Sequence, residues 1–281
     1  MFENILNEIK LRNNEIKLRN PLVHCITNYV TVNDCANAIL AVNGSPIMAD
    51  DINEVEDITT ICNSLVINIG TLNERTITSM IAAGKMANNL NHPIIFDPVG
   101  AGASKFRTES AKKLLKNISF SVIRGNISEI KALAINTSTT QGVDASINDI
   151  VTKDNLDEVV KFAKKFSQET NAIIAITGAI DIIASKDKAY AIYNGCSTMS
   201  KITGTGCMLS AILGAFIAVG QSSLLETTAY TVALMGYCGE LASQKIRNRD
   251  EGTSSFRTYL IDALSTIKYK DLKAGVKIDV L

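Results

Sequence analysis

Residues 201–210, Lys-Ile-Thr-Gly-Thr-Gly-Cys-Met-Leu-Ser, change abruptly from a glycine-punctuated turn to a long apolar helix. Gly204 and Gly206 carry no side chain that could obstruct a ligand, and both can adopt positive φ angles. Thr205 and Cys207 would occupy the first positions of the helix. Free N–H groups and the positive end of the helix dipole therefore converge on a possible phosphate site. The same pattern also occurs where glycine simply precedes a helix.

Three polar residues elsewhere directly follow predicted strands. Asp97, Arg124 and Thr177 each come after a run of apolar, mostly β-branched residues. The carboxyl ends of parallel strands meet at one edge of a sheet, so these side chains should emerge there together. Individually, Asp97 could be a turn residue before Pro98, and Arg124 could pair with a surface carboxylate. Their shared position is what favours a functional site.

A second acidic residue follows Arg124 closely. Asn126 and Glu129 have the spacing of a capping box, which could serve the helix alone or both the helix and the site. Two acids, Asp97 and Glu129, together with a cation and an anion-binding turn, are what phosphoryl transfer requires. The acids would hold Mg²⁺ and the cation would disperse charge on the moving phosphate.

Other chemistries are excluded by missing motifs. A Rossmann G-x-G-x-x-G beginning at Gly204 would need glycine at position 209, where the chain has Leu209, and no G-x-x-x-x-G-K-[ST] occurs. These absences argue against a Rossmann dehydrogenase and a P-loop NTPase. The six cysteines include no C-x-x-C pair, and only His24 and His92 could supplement them, so we do not expect a zinc site.

The composition favours a soluble protein that acts on a small organic substrate. Among 281 residues, 28 are Lys or Arg and 28 are Asp or Glu, so no net charge would attract nucleic acid or an anionic membrane. The N-terminus lacks the apolar region of a secretory signal. The longest apolar stretch, 207–219, is shorter than the roughly 20 residues that a membrane span needs. We therefore expect a cytoplasmic location and reduced thiols.

The elements that must position the polar residues alternate along the chain. From residue 64 to 176, buried β-branched runs alternate with helices, which predicts an α/β fold with a mostly parallel sheet covered by helices on both faces. An antiparallel hairpin is predicted over 181–193, and helices over 207–219, 224–246 and 254–267. The polar segment 136–150 is too small for a second core, so we expect one domain over 1–281.

Residues 1–20 are predicted to form a helical extension of that domain. The heptad Asn-Glu-Ile-Lys-Leu-Arg-Asn at 7–13 is repeated unchanged at 14–20. Seven residues are close to two helical turns, so equivalent side chains share a face, but two heptads are too few for a coiled coil. Pro21 marks where the helix must already have ended. We do not expect function to depend on this duplication.

Six segments of the chain form a distinctive set: 21–28, 44–49, 97–102, 124–129, 176–178 with Asp181, and 204–208. They closely resemble the motifs of the hydroxyethylthiazole kinase family, a thiamine-salvage branch of the ribokinase-like superfamily. The match runs in register from about Pro21 to the last helices. It implies a ribokinase-like three-layer α/β/α fold and transfer of the ATP γ-phosphoryl group to the primary hydroxyl of 4-methyl-5-(2-hydroxyethyl)thiazole.

The resemblance also implies roles for individual residues. By position, the thiazole would be contacted by Met48 and Gly204 with Asn28 nearby, and ATP by Arg124, Thr177 and Asn126. Mg²⁺ and the phosphates would be organised, directly or through water, by Asp97 and Glu129. The amides of 204–207 would receive charge that develops during transfer. Family members are typically homotrimers with sites at subunit boundaries, so the same assembly is expected here.

Cys207 stands where many other ribokinase-like kinases have an Asp that accepts the alcohol proton. A thiolate at a helix N-terminus has a lowered pKa and could accept that proton instead. A loose transition state needs little early deprotonation, so the thiol could equally pack against the hydroxyl or position it. We expect a modest catalytic contribution.

Two other functions compete with this interpretation. A hydroxymethylpyrimidine kinase would share the fold, but Cys207 in place of Asp and the 21–28 motif argue against it. A catalytically silent nucleotide-binding or regulatory protein would be expected to lack Asp97, Glu129 or Arg124, and all three are present.

Overall fold

The computed structural model describes residues 2–134 and 150–281, so the predicted polar segment 136–150 lies outside the described residues except at its last position. Within the described ranges, nine strands form a single sheet. These strands are β1 (Leu22–Ile26), β2 (Ser45–Ile47), β3 (Ser64–Asn68), β4 (Ile94–Asp97), β5 (Val122–Gly125), β6 (Ile173–Ile176), β7 (Asp181–Ala184), β8 (Ala189–Ile192) and β9 (Ile278–Val280).

The sheet has the order β2-β1-β3-β4-β5-β6-β7-β8-β9. Strands β2 to β6 in this order pair in parallel, and β6 to β9 pair antiparallel. The predicted mostly parallel sheet and the hairpin over 181–193 are therefore confirmed. Strand β9 was not predicted, because three residues with an exposed Asp279 at the centre are too short to show a pattern.

Helices cover both faces of this sheet, as predicted. They are α1 (Phe2–Arg19), α2 (Val32–Ala41), α3 (Val55–Ile61), α4 (Glu74–Asn89), α5 (Lys105–Asn117), α6 (Ile127–Ala134), α7 (Leu156–Thr170), α8 (Thr205–Val219), α9 (Leu224–Arg249), α10 (Thr253–Thr266) and α11 (Tyr269–Gly275). One core contains residues of α1, α2 and α8 to α11, and the other contains residues of α3 to α7.

Successive residues of the central strands enter opposite cores. In β4, Ile95 belongs to the core beneath α8 and α9, whereas Ile94 and Phe96 belong to the core beneath α4 and α5. Because both faces are buried, the strand sequence is a continuous apolar run. Asp97 ends this run at the carboxyl edge of the sheet, where the chain leaves the core.

The predicted N-terminal and C-terminal helices are confirmed to within a few residues. Helix α1 ends at Arg19, and Ile16 in the second copy of the heptad is buried while Leu18 is exposed. Helix α8 is apolar on all sides because it is packed against the sheet, α2 and α9. Among the described residues no single helix meets the length and hydropathy of a membrane span, although α8 and α9 do so as a pair bent by 104°.

Candidate active site

The glycine turn at the start of α8 depends on both of its glycines. Gly204 has φ of 89°, and a Cβ there would lie 2.6 Å from Cγ2 of Thr31. Gly206 already belongs to the helix, and a Cβ there would lie 2.6 Å from both terminal nitrogens of Arg124. Gly204 therefore supplies a left-handed conformation, and Gly206 supplies room for a guanidinium group against the backbone.

The sheet brings Asp97, Arg124 and Thr177 together, as their positions at the ends of strands predicted. Asp97 is the last residue of β4, Arg124 lies within β5, and Thr177 follows β6. Arg124 Nη1 is 3.4 Å from Asp97 Oδ2, and Arg124 Nη2 donates to Thr177 Oγ1 at 2.8 Å. Among the described residues, buried Nε of Arg124 has no hydrogen-bond acceptor. Arg124 is thus fixed at the turn by a buried partner, not by a surface carboxylate.

Asp97 is not an ordinary turn residue. It is fully buried, and its Oδ2 accepts hydrogen bonds at 2.8 Å from Asn68 Nδ2 and from Ser210 Oγ. Burial raises the pKa of Asp97, while the charge of Arg124 and the hydrogen bonds oppose that rise. The carboxylate is therefore held in a fixed orientation by groups from three different elements.

Glu129 combines a helix cap with a link to the loop after Asp97. Its Oε2 accepts from Asn126 N at 2.8 Å, and Asn126 Oδ1 accepts from Glu129 N at 2.8 Å, which confirms the capping box. Glu129 Oε1 also accepts from Gly100 N at 2.9 Å. Burial raises the pKa of Glu129, and these backbone hydrogen bonds oppose the rise.

The donor set fits Mg²⁺ bound in part by a substrate. No group of three or more His, Cys, Asp or Glu side chains that could hold a metal occurs in the described ranges. The charge of Asp97 contributes to raising the pKa of Glu129, so the two carboxyl groups are near each other. Mg²⁺ is commonly held by one or two carboxylates together with water and substrate phosphates. Glu129 binds the loop that directly follows Asp97, and both carboxylates retain lone pairs for a metal or its water shell.

Cys207 lies in the first turn of α8, and its sulfur accepts hydrogen bonds from Asn28 Nδ2 and Asn68 Nδ2, both at 3.2 Å. The predicted lowering of its pKa is wrong. Burial raises the pKa of Cys207, and the nearby charge of Asp97 raises it further. Desolvation and a neighbouring carboxylate outweigh the helix N-terminus here, so the group is a neutral thiol at pH 7.

Asn68 is the most connected residue that the sequence interpretation missed. Its Oδ1 accepts from Asn28 Nδ2 at 3.0 Å and from Gly70 N at 2.9 Å, and its Nδ2 donates to Asp97 and Cys207. Every hydrogen-bonding position of this side chain is used. The available signal was its place at the end of buried β3, directly opposite Asp97 in the pairing of β3 with β4.

The predicted thiazole residues lie at the same edge of the sheet. Met48 follows β2 and is half-buried, and Asn28 lies two residues after β1, which pairs in parallel with β2. Asn28 Oδ1 accepts from Thr31 N at 3.1 Å, and the same Thr31 packs against Gly204. Asn28 therefore connects the ends of β1 and β3 with the glycine turn.

The predicted ATP residues line a single cavity of about 620 Å³. Arg124, Asn126 and Thr177 line it from the strand ends, and Thr205 and Gly206 line it from the turn. Further lining residues come from the 194–200 segment and from α9. A cavity of this volume is within the usual range for sites that bind small molecules and cofactors.

Asp181, which also lines this cavity, should make the stability of the protein depend on pH. It is buried, its Oδ1 accepts from Gly178 N at 2.8 Å, and burial raises its pKa from 3.8 to about 7. The folded state thus binds the Asp181 proton more tightly than the unfolded state does. The contribution of this proton to the unfolding free energy is complete below about pH 4 and is lost as the pH rises through about 7. Relative to the wild type, we expect Asp181→Asn to gain on the order of 2 kcal/mol of unfolding free energy between pH 5 and pH 8.

Urea unfolding at the two pH values measures this difference. Asp187→Asn, in the exposed turn between β7 and β8, is the control and should follow the wild type. Identical pH dependence for wild type and Asp181→Asn would show that Asp181 does not titrate differently in the folded state.

Comparison with known proteins agrees with the geometry. The model of the "Hydroxyethylthiazole kinase family" matches residues 14–270. A hydroxyethylthiazole kinase of Clostridium acetobutylicum is 61% identical over 254 residues, which cover 90% of this chain and 93% of that protein. The solved structure of hydroxyethylthiazole kinase from Pyrococcus horikoshii OT3 has a TM-score of 0.86 at 34% identity, and the match covers 97% of this chain and 98% of that one.

A more distant likeness concerns the fold alone. The pyridoxal kinase of Staphylococcus aureus superposes with a TM-score of 0.55 at 14% identity, over 77% of this chain and 86% of that chain. The expected ribokinase-like three-layer fold is confirmed. With the six sequence motifs, the sheet-edge site and a family match that spans nearly the whole chain, the protein belongs to the hydroxyethylthiazole kinase family.

Proposed function

We propose that this chain transfers the γ-phosphoryl group of ATP to the primary hydroxyl of 4-methyl-5-(2-hydroxyethyl)thiazole. The observation that best supports this chemistry is the Arg124 guanidinium, which lies against Gly206 at the start of α8 while contacting Asp97 and Thr177. A cation therefore lies beside the first backbone amides of α8. Such preorganised groups stabilise charge on a phosphoryl group in transfer.

The nucleotide would occupy the cavity of about 620 Å³, with its phosphates toward Arg124, Asn126 and Thr177. Thr177 Oγ1 is held by Arg124 and lies 3.4 Å from the Gly125 carbonyl oxygen, so its orientation is set before a ligand arrives. Asp97 and Glu129 would hold Mg²⁺. The metal, when bound, would neutralise charge on the nucleotide phosphates.

The alcohol would approach from the opposite side of the turn, near Met48, Asn28 and Gly204. Its hydroxyl would lie beside Cys207, whose sulfur already accepts two amide N–H groups. A neutral thiol in this arrangement can donate its S–H to the alcohol oxygen and so orient it. The oxygen attacks the γ-phosphorus, the bond from the γ-phosphorus to the β–γ bridging oxygen breaks, and ADP leaves. As the new P–O bond forms, the alcohol proton passes to a phosphoryl oxygen or to water. A loose transition state requires little proton removal before the attack.

The proposal extends to a cytoplasmic homotrimer with active sites at subunit boundaries. Tyr29 and Val30, which directly follow Asn28, are 78% and 58% exposed. These neighbouring exposed apolar side chains support an interaction surface next to the proposed alcohol site, because contiguous apolar patches mark sites of protein–protein contact. Sedimentation equilibrium tests this assembly, and a monomer at micromolar concentration would contradict it.

Substitution of Cys207 distinguishes a general base from a thiol that only positions the hydroxyl. A full general base contributes roughly 10²- to 10⁴-fold, whereas a thiol that positions the hydroxyl should contribute less. We expect Cys207→Ala to slow single-turnover phosphorylation by less than about tenfold. Rapid-quench measurement with saturating ATP and alcohol checks this expectation. A loss of 10²-fold or more would restore the general-base assignment, and an unchanged rate would remove Cys207 from the chemical step.

The substrate assignment is tested with separate alcohols. The protein is incubated with Mg-ATP and either the thiazole alcohol or hydroxymethylpyrimidine, and ADP release is followed. We expect turnover of the thiazole alcohol and little of the pyrimidine. Preferred turnover of the pyrimidine would favour the related kinase, whereas ATP binding without turnover of either alcohol would favour a regulatory protein.

A further inference from the structure

One wall of the proposed nucleotide cavity is the irregular segment 194–201, which is held by hydrogen bonds from residues outside the cavity. Asn194, Gly195 and Cys196 line the cavity, and the short 3₁₀ helix Ser197–Lys201 continues the wall toward α8. Gly195 has φ of 127°, so the segment turns sharply as it leaves β8. Because this segment is outside the sheet ladder, other groups must fix its position.

Glu240 on α9 supplies that anchor. Its Oε1 accepts from the backbone N of Gly195 at 3.0 Å and from Asn194 Nδ2 at 3.1 Å. Its Oε2 pairs with Lys277 Nζ at 2.9 Å. One carboxylate thus connects the cavity wall, helix α9 and the chain just before β9.

Asn194 completes the connection to the C-terminal segment. Its Nδ2 also donates to the Gly275 carbonyl oxygen at 2.9 Å, and its Oδ1 accepts from Lys277 N at 2.8 Å. The residue is 5% exposed, and its amide group forms hydrogen bonds with these neighbouring groups. It therefore acts as a structural bridge between the cavity wall and residues 275–277.

Two glycines of α9 let the wall lie directly against the helix. A Cβ on Gly236 would lie 2.8 Å from backbone atoms of Asn194, and one on Gly239 would lie 2.6 Å from Met199 Sδ. Cys196 Sγ also donates to the Gly239 carbonyl oxygen at 3.4 Å. The wall is thus in close contact with α9 along the same stretch that carries Glu240.

The same wall reaches the glycine turn. Thr205 Oγ1, at the first position of α8, donates to the Met199 carbonyl oxygen at 3.3 Å. Contacts therefore run without a gap from Glu240 through Asn194, Gly195 and Met199 to the turn beside Arg124. Displacement of the wall would change both the shape of the cavity and the support of Thr205.

We infer that Glu240 is a positioning residue for the nucleotide: it does not contact ATP, but it holds the 194–199 wall in the conformation that binds it. This inference rests on the proposed placement of ATP in the cavity. For ATP binding, the length of the Glu240 side chain should matter more than its charge, because Gly195 N donates to the terminal carboxylate oxygen and a shorter side chain would not place that oxygen at the same distance. The expected effect is on nucleotide affinity, with the alcohol side of the site left intact.

Three substitutions distinguish reach from charge. Because Glu240→Ala removes two hydrogen bonds that hold the cavity wall, its Kd for ATP should rise about tenfold. Glu240→Asp keeps the charge but is one methylene shorter, so its Kd should rise by about fivefold. Glu240→Gln keeps an oxygen at the same reach, and its Kd should stay within about twofold of the wild type.

Glu226 provides a matched control on the same helix. It also forms a 2.9 Å ion pair with a lysine, Lys188, and its side chain is 21% exposed compared with 23% for Glu240. Its partners Lys188 and Tyr190 do not line the cavity. Glu226→Ala should therefore lose comparable stability in thermal unfolding while binding ATP with unchanged Kd.

Calorimetric titration of the 281-residue chain with Mg-ATP gives the Kd, and thermal unfolding gives the stability of each variant. The inference is overturned if Glu240→Ala and Glu240→Asp bind ATP like the wild type, if Glu240→Gln is as weak as Glu240→Ala, or if Glu226→Ala weakens binding equally. Wild-type protein that binds ATP but does not phosphorylate the thiazole alcohol would refute the proposed function alone. Wild-type protein that does not bind ATP would refute both.

Discussion

Arg124→Met should lower kcat by about 10³-fold, the loss expected when a cation that stabilises the transferring phosphate is removed. The guanidinium lies 2.6 Å from the Cβ position of Gly206, between the glycine turn and Asp97, and its buried Nε has no acceptor in the described part of the chain. A group placed in this way is available to phosphate oxygens. Methionine keeps much of the apolar volume but supplies no charge and no donor.

Arg124→Lys separates charge from geometry. Lysine retains a positive charge but lacks the planar fork that contacts Asp97 and Thr177 together. We expect a rate between those of the wild type and Arg124→Met. The control is Arg249→Met, which should leave kcat unchanged. Arg249 is exposed at the end of α9 and donates a hydrogen bond to Tyr259 Oη on α10. Steady-state assays at saturating substrates check these rates, and a loss below tenfold in Arg124→Met would contradict the assignment.

Asp97→Asn should lower kcat by at least about 10²-fold, because it removes one of the two proposed metal-binding carboxylates and the charge that fixes Arg124. The shape of the side chain is retained. An amide oxygen can still accept the hydrogen bonds from Asn68 and Ser210, so the local fold should survive.

Stability should respond very differently from activity. Burial raises the pKa of Asp97, which means that its ionised form is costly in the folded state, and Arg124 borders a cavity where water can solvate its charge. We therefore expect the unfolding free energy of Asp97→Asn at pH 7 to fall by no more than about 1 kcal/mol. Asp262→Asn, at an exposed pair with Lys245, serves as the control for both measurements. A fully active Asp97→Asn variant would refute the proposed role, and a variant that is unfolded at pH 7 would contradict the expected stability.

The sequence was most informative where one local rule sufficed. Continuous apolar runs identified the buried strands, and the ends of these strands placed Asp97, Arg124 and Thr177 at one edge. The capping box of Asn126 and Glu129 was also readable, because both partners lie within one turn of helix.

Contacts and pKa values that depend on several distant segments cannot be predicted from local sequence patterns. Asn68 looked like the end of an ordinary strand, and only the pairing of β3 with β4 places it beside Asp97 and Cys207. The pKa of Cys207 was misjudged because the helix N-terminus is visible in the sequence, whereas burial and the charge of Asp97 are properties of the folded chain. Glu240 is separated from Asn194 by 46 residues, so its contact with the cavity wall has no local signature.

The central claim is that phosphoryl transfer takes place between Arg124 and the glycine turn at the start of α8. A crystal structure with Mg²⁺, a non-hydrolysable ATP analogue and the thiazole alcohol tests it most directly. We expect the γ-phosphate to contact the amides of 204–207 and the Arg124 guanidinium, with the alcohol oxygen beside Cys207 and in line with the γ-phosphorus. Nucleotide bound outside the cavity, or phosphates directed away from Arg124 and the turn, would contradict the claim.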